Sequence, residues 1–464
     1  MSDLIINVIG VVLEHPAHLI KVFTRDGCAI NGLAISRLLG GEVDDPNTGA
    51  RVILRGVYPR AIDVKCYSHT LDNIGADFKL RGVQYNRLEG PQAKQCYNHL
   101  NGMMAGASDK PNNLWRRMMM SAFPSVSNVR WWSREEFWEY VLRHLDPTEN
   151  RVDTLVSWVK QCYESKLLEG VHIKALYNLF VPGAEDHDAM TLKLTLIQIA
   201  ISVDVSHPIR QSTYNLEGTG PLAPFVMTEI NKVHESFETF WEEMQYTNVH
   251  RFIVQYTAEA IRPPGAEEAL PIVDAWVTYC KTIAAPARQY FYDKIMAHPS
   301  NVLFEAARLV NPYFMKSQSP SVARVRDLLG PMVESNFITD AHRTAMITDY
   351  VQQKLKFQTF DSANWLNKKF DEQVSSLQGF WAEYSSGSWA TFAFLCYLLQ
   401  PSSASVERVF SVLKYIYTDV MENSLTETTQ TKLMLRFNHG LSRQQPTFRG
   451  QDDGGDDDDD EWLS

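Results

Sequence analysis

Between residues 152 and 440 the hydrophobic spacing is largely that of helices, which leaves little chain for any other structure. Breaks are expected at Pro182-Gly183, Pro208, Pro221–Pro224, Pro263-Pro264-Gly265, Pro286, Pro299, Pro312 and Pro331. Proline has no amide proton and crowds the preceding turn. Leu192–Val205 fits two periods: it alternates at Ile197, Ile199, Ile201, Val203 and Val205, yet carries a helical stripe at Leu194, Ile197, Ile201 and Val205. The pattern already turns helical at Phe78, with Leu114–Met120 facing a core and Ser133-x-x-Glu136 reading as a capping box before Phe137–Leu145. Thr359–Ser375 has little apolar stripe and reads as a mobile connection, whereas Phe380–Leu399 is an aromatic-rich helical run. Strands are confined to the start of the chain. His18–Thr24 and Ala61–Cys66 alternate, with helical stretches at 2–14 and Ile30–Leu39. The fold class expected is α+β, mostly α.

Charge is unevenly spread. The formal net charge is −11, but residues 451–464 hold eight acidic side chains and no basic ones; without them 44 basic residues face 47 acidic ones. Residues 51–134 hold 13 Lys and Arg against five Asp and Glu, a block able to follow phosphates. The acidic tail reads as a disordered, solvating segment. Six scattered cysteines (Cys28, Cys66, Cys96, Cys162, Cys280 and Cys396) form no close framework and fit free thiols in a reducing compartment. The apolar run Leu4–Leu13 is too short to span a bilayer and lacks a basic flank, so it reads as core and no membrane partner is expected.

Pro401–Gly440 reads as two helices joined by a polar turn. Ser402, Ser403 and Ser405 offer capping oxygens before a helix with Val409, Phe410, Leu413 and Ile416 on one stripe. A second helix, capped by Ser424 or Thr426, carries Leu433, Met434 and Phe437, and Gly440 suits its left-handed terminus. The string Ser405-Val-Glu407-Arg408-Val-Phe410-Ser411, followed by LMLRFN, resembles the C-terminal dimerisation segment of hAT-superfamily DNA transposases. That resemblance implies self-association into a homodimer or higher oligomer through Val409, Phe410, Leu413, Leu433, Met434 and Phe437. Those side chains would give a two-sided helix pair, one side on the core and one open to a like partner.

The resemblance extends along the chain. The order strand, acid, helix, strand, Cys-x-x-His is similar to the later part of the family's RNase H-like catalytic core. It carries the second and third carboxylates of an Asp-Asp-Glu triad onto Asp26 and Glu407, and the Cys-x-x-His pair onto Cys66 and His69. Such carboxylates would hold Mg²⁺ for two-metal phosphoryl transfer if the chain were active. Taken alone, Asp26 is more commonly an Asp-Gly turn residue and Glu407 a solvated helix residue. Arg130-Trp131-Trp132-Ser133 resembles the family signature near DNA, so Arg130 and Trp131 join Cys66 and His69 as DNA-binding candidates. A buried Trp pair is the competing reading. Ser212-Thr-Tyr-Asn-Leu-Glu-Gly218 is similar to the family's "TYxLEG" insertion segment and decides Leu192–Val205 as helix. A rival use of the cysteines is a tetrahedral zinc held by Cys66, His69, Cys96 and His99.

The implied layout is a partial RNase H-like core at 1–77, a helical insertion at 78–379, the return to the core with the dimerisation segment at 380–443, and the acidic tail at 444–464. Only 25 residues precede Asp26, fewer than the roughly 30–35 that three strands and a helix require. The acids among them, Asp3 and Glu14, sit at no strand end, so the triad's first carboxylate has no counterpart. The expectation is an N-terminally truncated, nuclear, transposase-derived protein that self-associates, retains DNA binding and is catalytically incomplete. It would need no cofactor. The alternatives are an active transposase whose N-terminus is missing from this chain, and a dimeric scaffold that does not touch DNA.

Overall fold

The computed structural model describes residues 22–25, 35, 38–44, 51–55, 62–80, 83–104, 110–124, 132–145, 152–244, 247–384 and 386–404. Residues Met1–Ser402 form one compact unit and Ser403–Ser464 a second. The described part of the first unit is mostly helical with short strands, as an α+β, mostly α chain should be.

Strand β1 (Val22–Arg25) pairs in parallel with β4 (Ile62–Lys65), in the register Thr24↔Val64. A parallel pair needs a crossover, and Ile35, Leu38 and Leu39 in the connecting stretch are helical, with Ile35 and Leu38 buried. Two hairpins were not expected. Strand β2 (Gly40–Asp44) pairs antiparallel with β3 (Arg51–Arg55), and β5 (Asp77–Leu80) with β6 (Val83–Asn86). The second corrects the reading that helix begins at Phe78. Phe78, Leu80, Val83 and Tyr85 alternate about Arg81-Gly82, a strand period rather than a helical one.

Helices follow in order: α1 (Tyr67–Asp72), α2 (Pro91–Met104), α3 (Lys110–Met119), α4 (Trp132–Arg143), α5 (Val152–Glu164), α6 (Val171–Phe180) and α7 (Ala189–Leu216). Then come α8 (Val226–Glu242), α9 (Thr247–Ala258), α10 (Ile272–Phe291), α11 (Asn301–Ala307), α12 (Pro312–Gln318), α13 (Val322–Glu334), α14 (Asp340–Thr359), α15 (Phe370–Glu383) and α16 (Ser388–Leu398). Helix α7 resolves the ambiguity at Leu192–Val205. Its residues 197–206 are all buried, because helices α1, α2, α4, α6, α8, α9 and α10 all pack on it. It is long and apolar enough to cross a bilayer, but 67% of that apolar window is buried inside the protein.

The proline rule fails at three places. Pro208, Pro286 and Pro331 lie inside α7, α10 and α13 rather than between helices. An interior proline removes one backbone hydrogen bond, and the apolar stripe continuing through each site outweighs that loss. Helix α4 begins at Trp132, so Ser133 lies inside its first turn and does not open a capping box. Met120 ends α3 with positive φ and is 90% exposed, against the expectation of a core-facing run. Nor is 359–375 a loose connection. The buried Trp365 ring stacks on Tyr313 at 5.2 Å and meets Phe360 edge-on at 5.4 Å, while the Lys316 ammonium bonds the Phe360 carbonyl. Aromatic anchoring needs no periodic stripe.

Three of the buried polar residues of α7 terminate or brace its neighbours. Gln198 Oε1 accepts from the Gln92 and Ala93 amides at 2.9 and 3.1 Å, capping α2 from outside that helix. The backbone at Gly90 passes so close that an added Cβ would lie 2.3 Å from Gln198 Cδ. Asp204 accepts from the Val249 amide at 2.9 Å and from Asn248 Nδ2 at 2.6 Å, capping α9. Ser202 Oγ donates to the Leu88 carbonyl at 2.7 Å. Replacing Gln198 by Ala strands two helix N-terminal amides in a dry site. The Gln198→Ala chain should lose about 2–3 kcal/mol of stability, read from its urea midpoint; a loss under about 0.5 kcal/mol would mean the cap is not structural.

Candidate functional site

The first turn of α1 is where distant parts of the chain meet. Strand β4 ends at Lys65, and Cys66 caps the helix with extended backbone, its Sγ accepting from the His69 amide at 3.5 Å. That is the N-cap to N3 relation, and it uses the backbone amide of position 69 rather than the His69 ring. Ser68 Oγ lies 3.1 Å from Cys66 Sγ and 2.8 Å from Ser402 Oγ, and Cys66 Sγ is 3.7 Å from the same Ser402 Oγ. The Tyr67 amide donates to the Pro401 carbonyl at 2.7 Å. One strand over, Thr24 Oγ1 donates to the Gln400 carbonyl at 2.8 Å across 376 positions. Tyr67 Oη donates to Asn301 Oδ1 at 2.6 Å and lies 3.1 Å from His298 Nδ1, tying the same turn to the approach to α11.

The sequence candidates divide accordingly. Cys66 is buried and His69 half-buried at this junction. Asp26, Arg130, Trp131, Glu407, Val409, Phe410, Leu413, Leu433, Met434 and Phe437 lie outside the described residues. Thr24 stands two positions before Asp26, and Gln400–Ser402 shortly before Glu407. The zinc set of Cys66, His69, Cys96 and His99 is not assembled, and no group of three or more metal-binding side chains occurs among the described residues. Cys66 is engaged with Ser68, Ser402 and the His69 amide. Cys96 is buried in α2, where desolvation and then the Glu89 carboxylate push its thiol pKa up. His99 contacts His172 instead.

The basic block is less available than its count implies. Arg134 is buried, with Nη2 donating to Glu89 Oε2 at 2.7 Å and its guanidinium 3.6 Å above the Tyr97 ring. Trp138 Nε1 donates to the other oxygen of Glu89 at 2.7 Å. Arg87 donates to the Asn73 carbonyl at 2.7 Å and lies 4.2 Å over Tyr290. Both are built into the protein and leave the phosphate-contact set. Lys65, Lys110, Arg116 and Arg117 are exposed. These commitments could not be read from sequence, because each depends on a partner far along the chain or across a turn.

Helix α4, which follows Arg130 and Trp131 in sequence, also carries acids. Arg210 on α7 meets Glu135 at 2.7 Å, Glu139 at 3.3 Å and Glu136 at 3.7 Å, so one cation faces three carboxylates. Burial pushes the Glu135 carboxyl up to about 8 against the opposing pull of Arg210, with Glu139 and Glu136 adding to the rise. A carboxyl raised from about 4.5 unfolded to about 8 folded gives full relative stability below the lower value and loses it as pH rises to the upper one. Glu135→Gln should remove a decline of about 1.4 kcal/mol per pH unit within that window, measured by urea unfolding at pH 5, 6.5 and 8. Parallel pH profiles for both chains would show that Glu135 carries no such linkage.

Comparison with family models, with curated proteins and with solved structures returns no match for this chain.

Proposed function

We propose that this chain is a hAT-transposase-derived protein that acts by self-association through Val406–Phe437, with residual DNA binding through the exposed part of the 51–134 block. The observation that carries the reading is the junction at α1. The resemblance implies that the chain leaves a partial RNase H-like core, runs through a helical insertion and returns just before Ser405-x-Glu407-Arg408-x-Phe410. The bonds from Thr24 to Gln400 and from Tyr67 to Pro401 are what such a return would require. A parallel β1–β4 pair with helix in its crossover supports the same layout. The insertion in this reading starts at α2, after the β5–β6 hairpin. Asp26 and Glu407 enter only through the resemblance, and no step of the proposal passes through a metal.

Self-association is tested by light scattering on the full chain and on the Phe410→Asp/Leu433→Asp double variant. The unaltered chain should be a dimer or larger at micromolar concentration, and the variant a monomer with unchanged far-ultraviolet circular dichroism. An unaltered chain that is monomeric defeats the reading.

DNA binding should be weak and salt-sensitive. If Lys65, Lys110, Arg116 and Arg117 meet phosphates, log K falls with log[salt] at a slope of about −4. The pair Arg116→Gln/Arg117→Gln should reduce that slope by about 2. Absence of binding at low salt removes the DNA component and leaves the scaffold. Mg²⁺-dependent nicking of DNA by this chain, abolished by Asp26→Asn, would favour an active transposase over this reading.

A further inference from the structure

Helix α14 carries its charge on its flanks rather than on its outermost face. Met346, Tyr350, Gln353 and Phe357 are buried on one side, and the helix packs on α12, α13 and α16. On the opposite side Ala341, Thr344, Thr348, Val351, Leu355 and Gln358 are all exposed, Val351 at 65% and Leu355 at 60%. None of these is charged, although the outward face of an amphipathic helix ordinarily holds the charged residues. Asp340, Arg343, Asp349, Lys354 and Lys356 all fall off this line.

The exposed line advances by three, four, three, four and three residues, the heptad seam along which two helices pack. The threonines fit such a seam because their hydroxyl protons are spent within the helix. Thr344 Oγ1 donates to the Asp340 carbonyl and Thr348 Oγ1 to the Thr344 carbonyl, each at 2.9 Å. Covering them strands no hydroxyl proton. The seam also complements itself. Its large side chains lie in the C-terminal half and its small ones in the N-terminal half. An antiparallel copy therefore sets Leu355 against Thr344, Val351 against Thr348 and Gln358 against Ala341. Large meets small at every layer, which keeps the two helix axes evenly spaced. A parallel copy would pair Leu355 with itself and Ala341 with itself, and the seam would wedge open.

We infer that the outer face of α14 takes α14 of a second copy of this chain, antiparallel about a two-fold axis. The area bounds the strength of the contact. The helix is 20 residues long, about 30 Å, and about 10 Å wide, so the pair hides roughly 300 Å² on each copy. That is well under the ~1,200 Å² in total at which stable interfaces begin. The face cannot hold a tight dimer alone. It joins dimers made through Val406–Phe437 into larger assemblies, and in this it rests on the self-association reading.

The test is sedimentation equilibrium of the full chain, from micromolar to the highest soluble concentration. The unaltered chain should grow beyond a dimer. Val351→Glu/Leu355→Glu should weaken that second step at least tenfold and leave the dimer; both side chains are exposed, so the fold is kept. The Phe410→Asp/Leu433→Asp chain should still pair weakly at the top of the range. An unaltered chain that is monomeric at micromolar concentration defeats the Val406–Phe437 reading alone, and the α14 contact is then read as a monomer–dimer step in the same series. Register is read by mixing Thr344→Cys and Leu355→Cys chains under a mild oxidant, against an unaltered chain whose described cysteines are buried. The mixture should cross-link and neither chain alone. Growth that Val351→Glu/Leu355→Glu leaves unchanged, or cross-linking by Leu355→Cys alone, overturns the proposal. So does the absence of any growth, which would leave the face to a different partner or to solvent.

Discussion

The fold depends on a buried helix, several of whose buried polar side chains bond its neighbours. An all-apolar α7 would satisfy the packing around it, yet Gln198, Ser202 and Asp204 are all buried. Each answers a backbone group that its neighbour cannot pair internally: the amides opening α2, the carbonyl of Leu88 and an amide opening α9. A helix start buried without such a partner would cost several exposed-to-dry transfers of an N–H group. The hydrophobic effect gathers these helices; the polar side chains fix where each begins. The Glu89 carboxylate does similar work between α2 and α4, receiving Arg134 and Trp138.

At the α1 junction the same economy applies to residues that look functional. A cysteine three positions before a histidine invites a metal or a nucleic-acid reading, and here the cysteine serves a helix cap through the backbone amide of His69. The two readings differ in what they ask of the thiol. A cap needs only a weak acceptor facing an amide, whereas a ligand needs a thiolate. Cys66, buried among Ser68 and Ser402, is placed for the first. A role for this turn in holding the chain's return is therefore independent of any role near DNA.

The helical bulk was legible because periodic apolar spacing is a local signal that tertiary packing reinforces. So were the strands around Val22–Arg25 and Ile62–Lys65, and the helix over Cys96 and His99. The β2–β3 hairpin also has a local mark, Asp45-Pro46-Asn47-Thr48-Gly49 between Val43 and Val52. The interior prolines misled because the cost of a lost backbone bond is fixed, while the packing that repays it is visible only in three dimensions. The pairing of His99 with His172, 73 positions away, and the withdrawal of Arg134 into the interior have no local signature. Both depend on which helices lie side by side, and α7 decides that.

The bond from Thr24 to the carbonyl of Gln400 has a consequence in time. Its partners are separated by 376 residues, so during synthesis at about 5–20 residues per second Thr24 waits roughly 20–75 s for the carbonyl it bonds. The helices around α7 can assemble within that interval, since their mutual contacts span shorter stretches of chain. The β1–β4 pair, with partners 40 positions apart, can form too, but its bond to Gln400 cannot. The contact between β1 and Gln400 is thus among the last of the described tertiary bonds to close as the chain is made.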